Sequence, residues 1–166
     1  RFDWGRWGEF GFGLDYNVTL DHTTVTFPGD PENDLLSPQQ ALSAEFKSVL
    51  TGDISWRKDD WSANVHGIRY GSLPNYAAQF GVDTTPGTEQ GRVGPHMLYN
   101  VSLSYDLTEK SALSLTVNNV LNTRPPLDRT YDGSQGFAPP FYNIFAYNGY
   151  GRSLWLEYRI DFGADD

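Results

Sequence analysis

Over residues 8–22, Phe10, Phe12, Leu14, Tyr16, Val18 and Leu20 alternate with Gly11, Gly13, Asp15, Asn17, Thr19 and Asp21. An extended chain sends successive side chains to opposite faces, so this segment predicts a strand with one apolar and one polar face. The alternation recurs over 45–57, with Phe46, Leu50, Ile54 and Trp56 against Lys47, Thr51, Asp53, Ser55 and Arg57, and more weakly over 61–71. Residues 97–107 set Met97, Tyr99, Val101, Leu103, Tyr105 and Leu107 against Leu98, Asn100, Ser102, Ser104 and Asp106. Two further segments, 112–121 and 150–162, carry Leu113, Leu115 and Val117, then Leu154, Leu156, Tyr158, Ile160 and Phe162, on their apolar sides. The pattern predicts an all-β chain, an antiparallel up-and-down meander of about six strands, with little room for helix among 17 Gly and 10 Pro.

The connections alternate in length. Residues 57–60 and 108–111 are tight polar turns, whereas 23–43, 72–96 and 123–148 are long and rich in Gly, Pro, Asn and Asp. In a meander, successive connections fall at opposite ends, so the tight turns share one end and the long loops the other. Loops beyond about 12–15 residues are uncommon in compact domains and usually functional.

Ten-residue antiparallel strands with one apolar face, short turns at one end and long loops at the other describe the wall of a transmembrane β-barrel. Trp4, Trp7, Trp56 and Trp61 lie beside the tight turns, where an aromatic membrane-interface girdle belongs. Period two then places Asp15, Asn17, Asp53, Arg57, Asn100, Asp106, Asn118, Glu157 and Arg159 toward a wet lumen, and Phe10, Phe12, Leu14, Leu103 and Leu156 toward lipid. The alternative is a soluble carbohydrate-binding β-sandwich presenting its long loops to sugar.

Composition narrows the chemistry. A net charge of −9 with 12 scattered basic residues argues against a nucleic-acid partner, and zero cysteines removes disulfides, thiol catalysis and zinc–thiolate sites. No apolar run approaches the length of about 18 residues that a spanning helix needs. Arg1, with no basic-then-apolar leader behind it, is read as the start of an excised or processed segment.

From Asn100 onward the chain resembles the C-terminal region of TonB-dependent outer-membrane receptors. Three stretches carry the likeness: Val117-Asn118-Asn119-Val120-Leu121-Asn122 at the top of the penultimate strand, Tyr150-Gly151-Arg152, and a last strand ending Tyr158-x-Ile160-x-Phe162. The resemblance implies the last six strands of a bacterial outer-membrane barrel, without plug domain or TonB-contacting segment. It gives Tyr158, Ile160 and Phe162 the role of membrane-assembly signal, puts the tight turns in the periplasm and the long loops outside, and implies energised uptake of a siderophore, cobalamin or oligosaccharide. Implied partners are the lipid bilayer with its lipopolysaccharide, the rest of the barrel and plug, and TonB through the parent protein. An isolated six-strand sheet, with two bare edges and an apolar face, is expected to self-associate.

No residue set supports catalysis, a metal or a cofactor. His22, His66 and His96 form no ligand spacing, and Asp30-Pro31-Glu32-Asn33-Asp34 lacks the glycine and distal glutamate of a regular calcium loop. Gly8, Gly11 and Gly13 precede a strand rather than a helix, so they provide no phosphate-binding helix terminus. The candidate ligand-binding residues lie in the last long loop: Asp128, Arg129, Tyr131, Asp132, Phe137, Phe141, Tyr142 and Tyr147, rings interspersed with hydrogen-bonding groups. The competing expectation is that this loop folds on its own aromatics and caps the barrel mouth.

Overall fold

The computed structural model describes residues 2–37, 45–81, 91–131, 133 and 142–163. In chain order the strands are β1 (Phe2–Asp3), β2 (Glu9–Val18), β3 (Thr23–Thr24), β4 (Asn33–Asp34), β5 (Ser48–Lys58), β6 (Trp61–Tyr70), β7 (Leu73–Pro74), β8 (Arg92–Val93), β9 (His96–Thr108), β10 (Ser111–Asn118) and β11 (Ser153–Ile160). One seven-stranded sheet holds them in the order β1-β2-β5-β6-β9-β10-β11, with every pairing antiparallel. The sheet is open, so the fold is the all-β meander that the alternation predicts. Two small hairpins, β3–β4 and β7–β8, stand apart from it in the long connections.

The register turns the alternation into continuous rows. Phe12, Ile54, Val65, Val101, Val117 and Leu154 are successive cross-strand neighbours, as are Phe10, Trp56, Ala63, Leu103, Leu115 and Leu156. The opposite face reads Gly11, Ser55, Asn64, Ser102, Thr116 and Trp155 in one row, and Glu9, Arg57, Ser62, Ser104, Ser114 and Glu157 in the next. A one-residue slip anywhere would put polar groups into the apolar face, so the binary pattern itself holds the register.

Turn chemistry explains where the strands stop. Asp59 takes a left-handed φ of 51° in the two-residue link between β5 and β6, a conformation that aspartate tolerates better than most side chains. Between β9 and β10 the Thr108 and Ser111 hydroxyls lie 2.7 Å apart, and the ladder shifts register between Ser111 and Ala112. The first long strand ends at Val18 rather than at His22. Thr19 N–H still reaches the Lys47 carbonyl at 2.9 Å, after which Thr23 and Thr24 pair locally with Asp34 and Asn33. The penultimate strand ends at Asn118 because Asn119 turns left-handed, at φ 49°.

Burial is displaced from the sheet. Among the described residues the buried apolar side chains are Leu73, Tyr76, Ala77, Ala78, Tyr131 and Tyr147 in the loops, and Ala112 in the sheet. The sheet's own apolar face stays open, with Leu14 at 74% and Leu156 at 72% exposure.

Candidate functional site

The apolar face is the first functional surface. Phe12, Leu14, Ile54, Val65, Leu103, Leu115 and Leu156 all project from it and all remain exposed. A contiguous apolar surface spanning six paired strands is far larger than a soluble monomer usually shows to water, and it marks a surface meant for an apolar medium or a partner.

Aromatic rings gather at its tight-turn end. A 3-10 turn, Gly5–Trp7, folds the N-terminus back so that the Trp4 ring meets Phe10 at 4.9 Å and the Phe2 ring meets Phe12 at 6.3 Å. Gly8 permits that reversal: at φ +88° a Cβ would sit 2.4 Å from the Arg57 carbonyl oxygen. The Trp56 indole donates to the Trp7 carbonyl at 2.8 Å, and Trp61 stacks on Tyr105 with centroids 4.6 Å apart. Trp4, Trp7, Trp56 and Trp61 therefore occupy one end of the sheet, while Trp155 lies on the polar face beside Thr116.

At the other end of the sheet the asparagine motif of residues 117–122 meets Tyr150-Gly151-Arg152. Asn119 is buried; its backbone N–H donates to the Asn100 side chain at 2.9 Å, and its own amide bonds Thr123 twice, donating to the carbonyl at 2.8 Å and accepting from the N–H at 2.9 Å. Asn122, also left-handed at φ 53°, accepts from the Arg152 N–H at 3.0 Å. That contact brings Asn122 so close to Gly151 that a Cβ there would lie 2.7 Å from the amide oxygen. The motifs thus tie the end of β10 to the start of β11.

The long loops form a layer at this end. Phe46 packs between Tyr70 at 4.8 Å and Tyr147 at 5.2 Å, and His96 meets Tyr147 edge-on at 5.5 Å. Leu73 and Tyr147 form a buried apolar cluster in it, with Phe46, Tyr142 and Ala146 against them. Burial pushes the Tyr147 phenol up to about 12. A second contact joins the two longest loops: the Asp128 carboxylate accepts from the Tyr76 N–H and from the Thr130 N–H and hydroxyl, and Thr130 in turn accepts from the Ala77 N–H at 3.0 Å. Tyr76 and Tyr131 close that contact edge-on at 5.0 Å.

Of the loop residues singled out from sequence, Asp128, Tyr131 and Tyr147 are buried in this layer, Tyr142 is half-buried against it and Arg129 is exposed. Asp132, Phe137 and Phe141 lie outside the described residues. Tyr158, Ile160 and Phe162 sit on or just past the exposed edge strand β11. Sequence reasoning put Phe46 on the apolar side of a strand over 45–57, whereas β5 begins at Ser48 and Phe46 joins the loop layer; it missed the 3-10 turn Tyr76–Phe80, although the apolar Leu73, Tyr76 and Phe80 in an otherwise polar connection were a signal. His22 pairs with Glu45 and His66 with Asp53, each at 2.7 Å, and among the described residues no cluster of three potential metal ligands occurs.

No protein-family model matches the chain, and no curated protein does. Among solved structures, a point mutant of the ferric enterobactin receptor of Pseudomonas aeruginosa superposes on 97% of the chain with a TM-score of 0.54 and 16% identity. The chain spans 21% of that receptor's length. At this identity the likeness is one of fold alone, and the neighbour is a receptor.

Proposed function

We propose that the chain is a C-terminal wall segment of a TonB-dependent outer-membrane receptor that takes up a scarce nutrient such as a siderophore, cobalamin or oligosaccharide. The observation that carries this is the exposed apolar face, continuous in register over six paired strands and backed by a serine-, asparagine- and charge-bearing face. Lipid solvates the first face and a wet lumen the second. Trp4, Trp7, Trp56 and Trp61 then lie at one membrane interface, and Tyr158, Ile160 and Phe162 form the strand read during membrane assembly. The long loops face outward, where Arg129, Asp132, Phe137, Phe141 and Tyr142 meet ligand, while Asp128, Tyr131 and Tyr147 brace the loop layer. Plug, lipopolysaccharide and TonB are partners of the whole receptor, whose work is binding and passage without bond making.

A soluble sandwich would need a second layer over the apolar face, and the exposure of Leu14 and Leu156 speaks against one. The test is cell fractionation with surface labelling of the complete protein. Arg124, Leu127 and Arg129, exposed positions of the last long loop, become labelled on intact bacteria and the protein sediments with outer membranes. Recovery as a detergent-free soluble monomer would overturn the proposal.

A further inference from the structure

At the tight-turn end, Arg6, Trp7, Trp56, Lys58, Asp59 and Trp61 line one open depression of about 600 Å³ beside the apolar face. Three indoles form most of its walls, with the Arg6 guanidinium 5.1 Å above the Trp7 ring and Trp56 fixed by its bond to the Trp7 carbonyl. Neither Lys58 nor Asp59 has an ion-pair partner among the described residues. Two cations, one anion and a set of rings thus share one rim, in a chain with only 12 basic residues and a net charge of −9.

The geometry points to a binding site for the headgroup of a zwitterionic membrane phospholipid, one that carries both a phosphodiester and a primary ammonium. Arg6 and Lys58 take the phosphodiester, because a charge-assisted hydrogen bond is about twice as strong as a neutral one. Asp59 takes the ammonium, and the indoles of Trp7, Trp56 and Trp61 cover the glycerol and the first acyl carbons, the position in which indole sits most comfortably. An anionic headgroup would leave Asp59 facing a like charge, and free phosphate would leave the rings uncovered. Asp59 is held in place by its left-handed turn, so the ammonium contact is built into the link between β5 and β6.

This site rests on the membrane-wall proposal, and the experiment separates the two. The complete protein in detergent is titrated with short-chain phosphatidylethanolamine, phosphatidylglycerol and inorganic phosphate, with lipid adducts counted by native mass spectrometry. One phosphatidylethanolamine is retained in preference to phosphatidylglycerol, and the double variant Arg6→Ala, Lys58→Ala weakens it by about tenfold, as expected for losing charge-assisted bonds. Asp59→Asn, which keeps the turn because asparagine also accepts positive φ, removes the preference between the two lipids. Unchanged retention in the double variant, or displacement by inorganic phosphate as effective as by lipid, overturns the site. In parallel, brominated phosphatidylcholine bilayers quench the tryptophans of wild type and double variant alike. Quenching without headgroup preference sinks this inference alone, and no quenching in either protein sinks the membrane-wall proposal with it.

Discussion

At the scale of the residue, Asn119 concentrates the most structure in one side chain. It is left-handed, buried and doubly bonded to Thr123. Replacing it with alanine strands the half-buried Thr123 N–H and carbonyl and forces a Cβ-bearing residue without a compensating amide into positive φ, at a cost of about 1–3 kcal/mol. Asn119→Gly relieves the backbone part only, so its denaturation midpoint falls between those of wild type and Asn119→Ala. Tyr147 gives a pH-dependent counterpart. Its pKa is raised from 10.0 to about 12 by burial, so the fold favours the neutral phenol. The contribution of Tyr147 to stability is therefore flat below pH 10 and is lost as pH rises toward 12, because the unfolded chain ionises first. Absorbance titration shows one late tyrosine that disappears in Tyr147→Phe, a variant that also removes a buried hydroxyl with no described partner and keeps its stability.

At the scale of the element, the two faces of β9 make opposite predictions for adjacent positions. Val101→Arg puts a guanidinium on the apolar row, which under the proposed function meets lipid, and costs about 2–4 kcal/mol near the bilayer midplane, whereas Ser102→Arg points to the polar side and is tolerated. Folding titrations of the complete protein into lipid vesicles check the pair; equal effects would remove the sidedness on which the proposed function stands. These faces were legible in the sequence because period two is local: Leu103 and Ser104 declare their sides without knowing their neighbours. The ends of the strands were less legible. Asn118 continues the polar side and Asn119 falls where the period calls for an apolar residue, yet the apolar Val120 and Leu121 extend the sequence-based strand to 121, and the left-handed backbone of Asn119 shows where pairing stops. The loop layer was illegible for a different reason. Asp128 bonds Tyr76 across 52 residues of sequence, and Phe46 finds Tyr147 across a greater distance still, so rings that looked ready for ligand are occupied with one another.

At the scale of the whole molecule, an open sheet with a bare apolar face does not suit water. Transferred from detergent to plain buffer, the 166-residue chain associates through that face and its edges, and light scattering coupled to size-exclusion chromatography reports a mass well above 18.7 kDa. A clean monomer would contradict the arrangement described above. Both edges lie open among the described residues: β1 covers only Glu9 and Phe10 of β2, and β11 presents eight residues, from Ser153 to Ile160, bonded on one side only. If that strand seals a cylinder, as the proposed receptor wall requires, its second neighbour is a strand distant from it in sequence. The seam is then the last ladder to zip, and the entropy of bringing such distant stretches together makes closure the slow step of biogenesis.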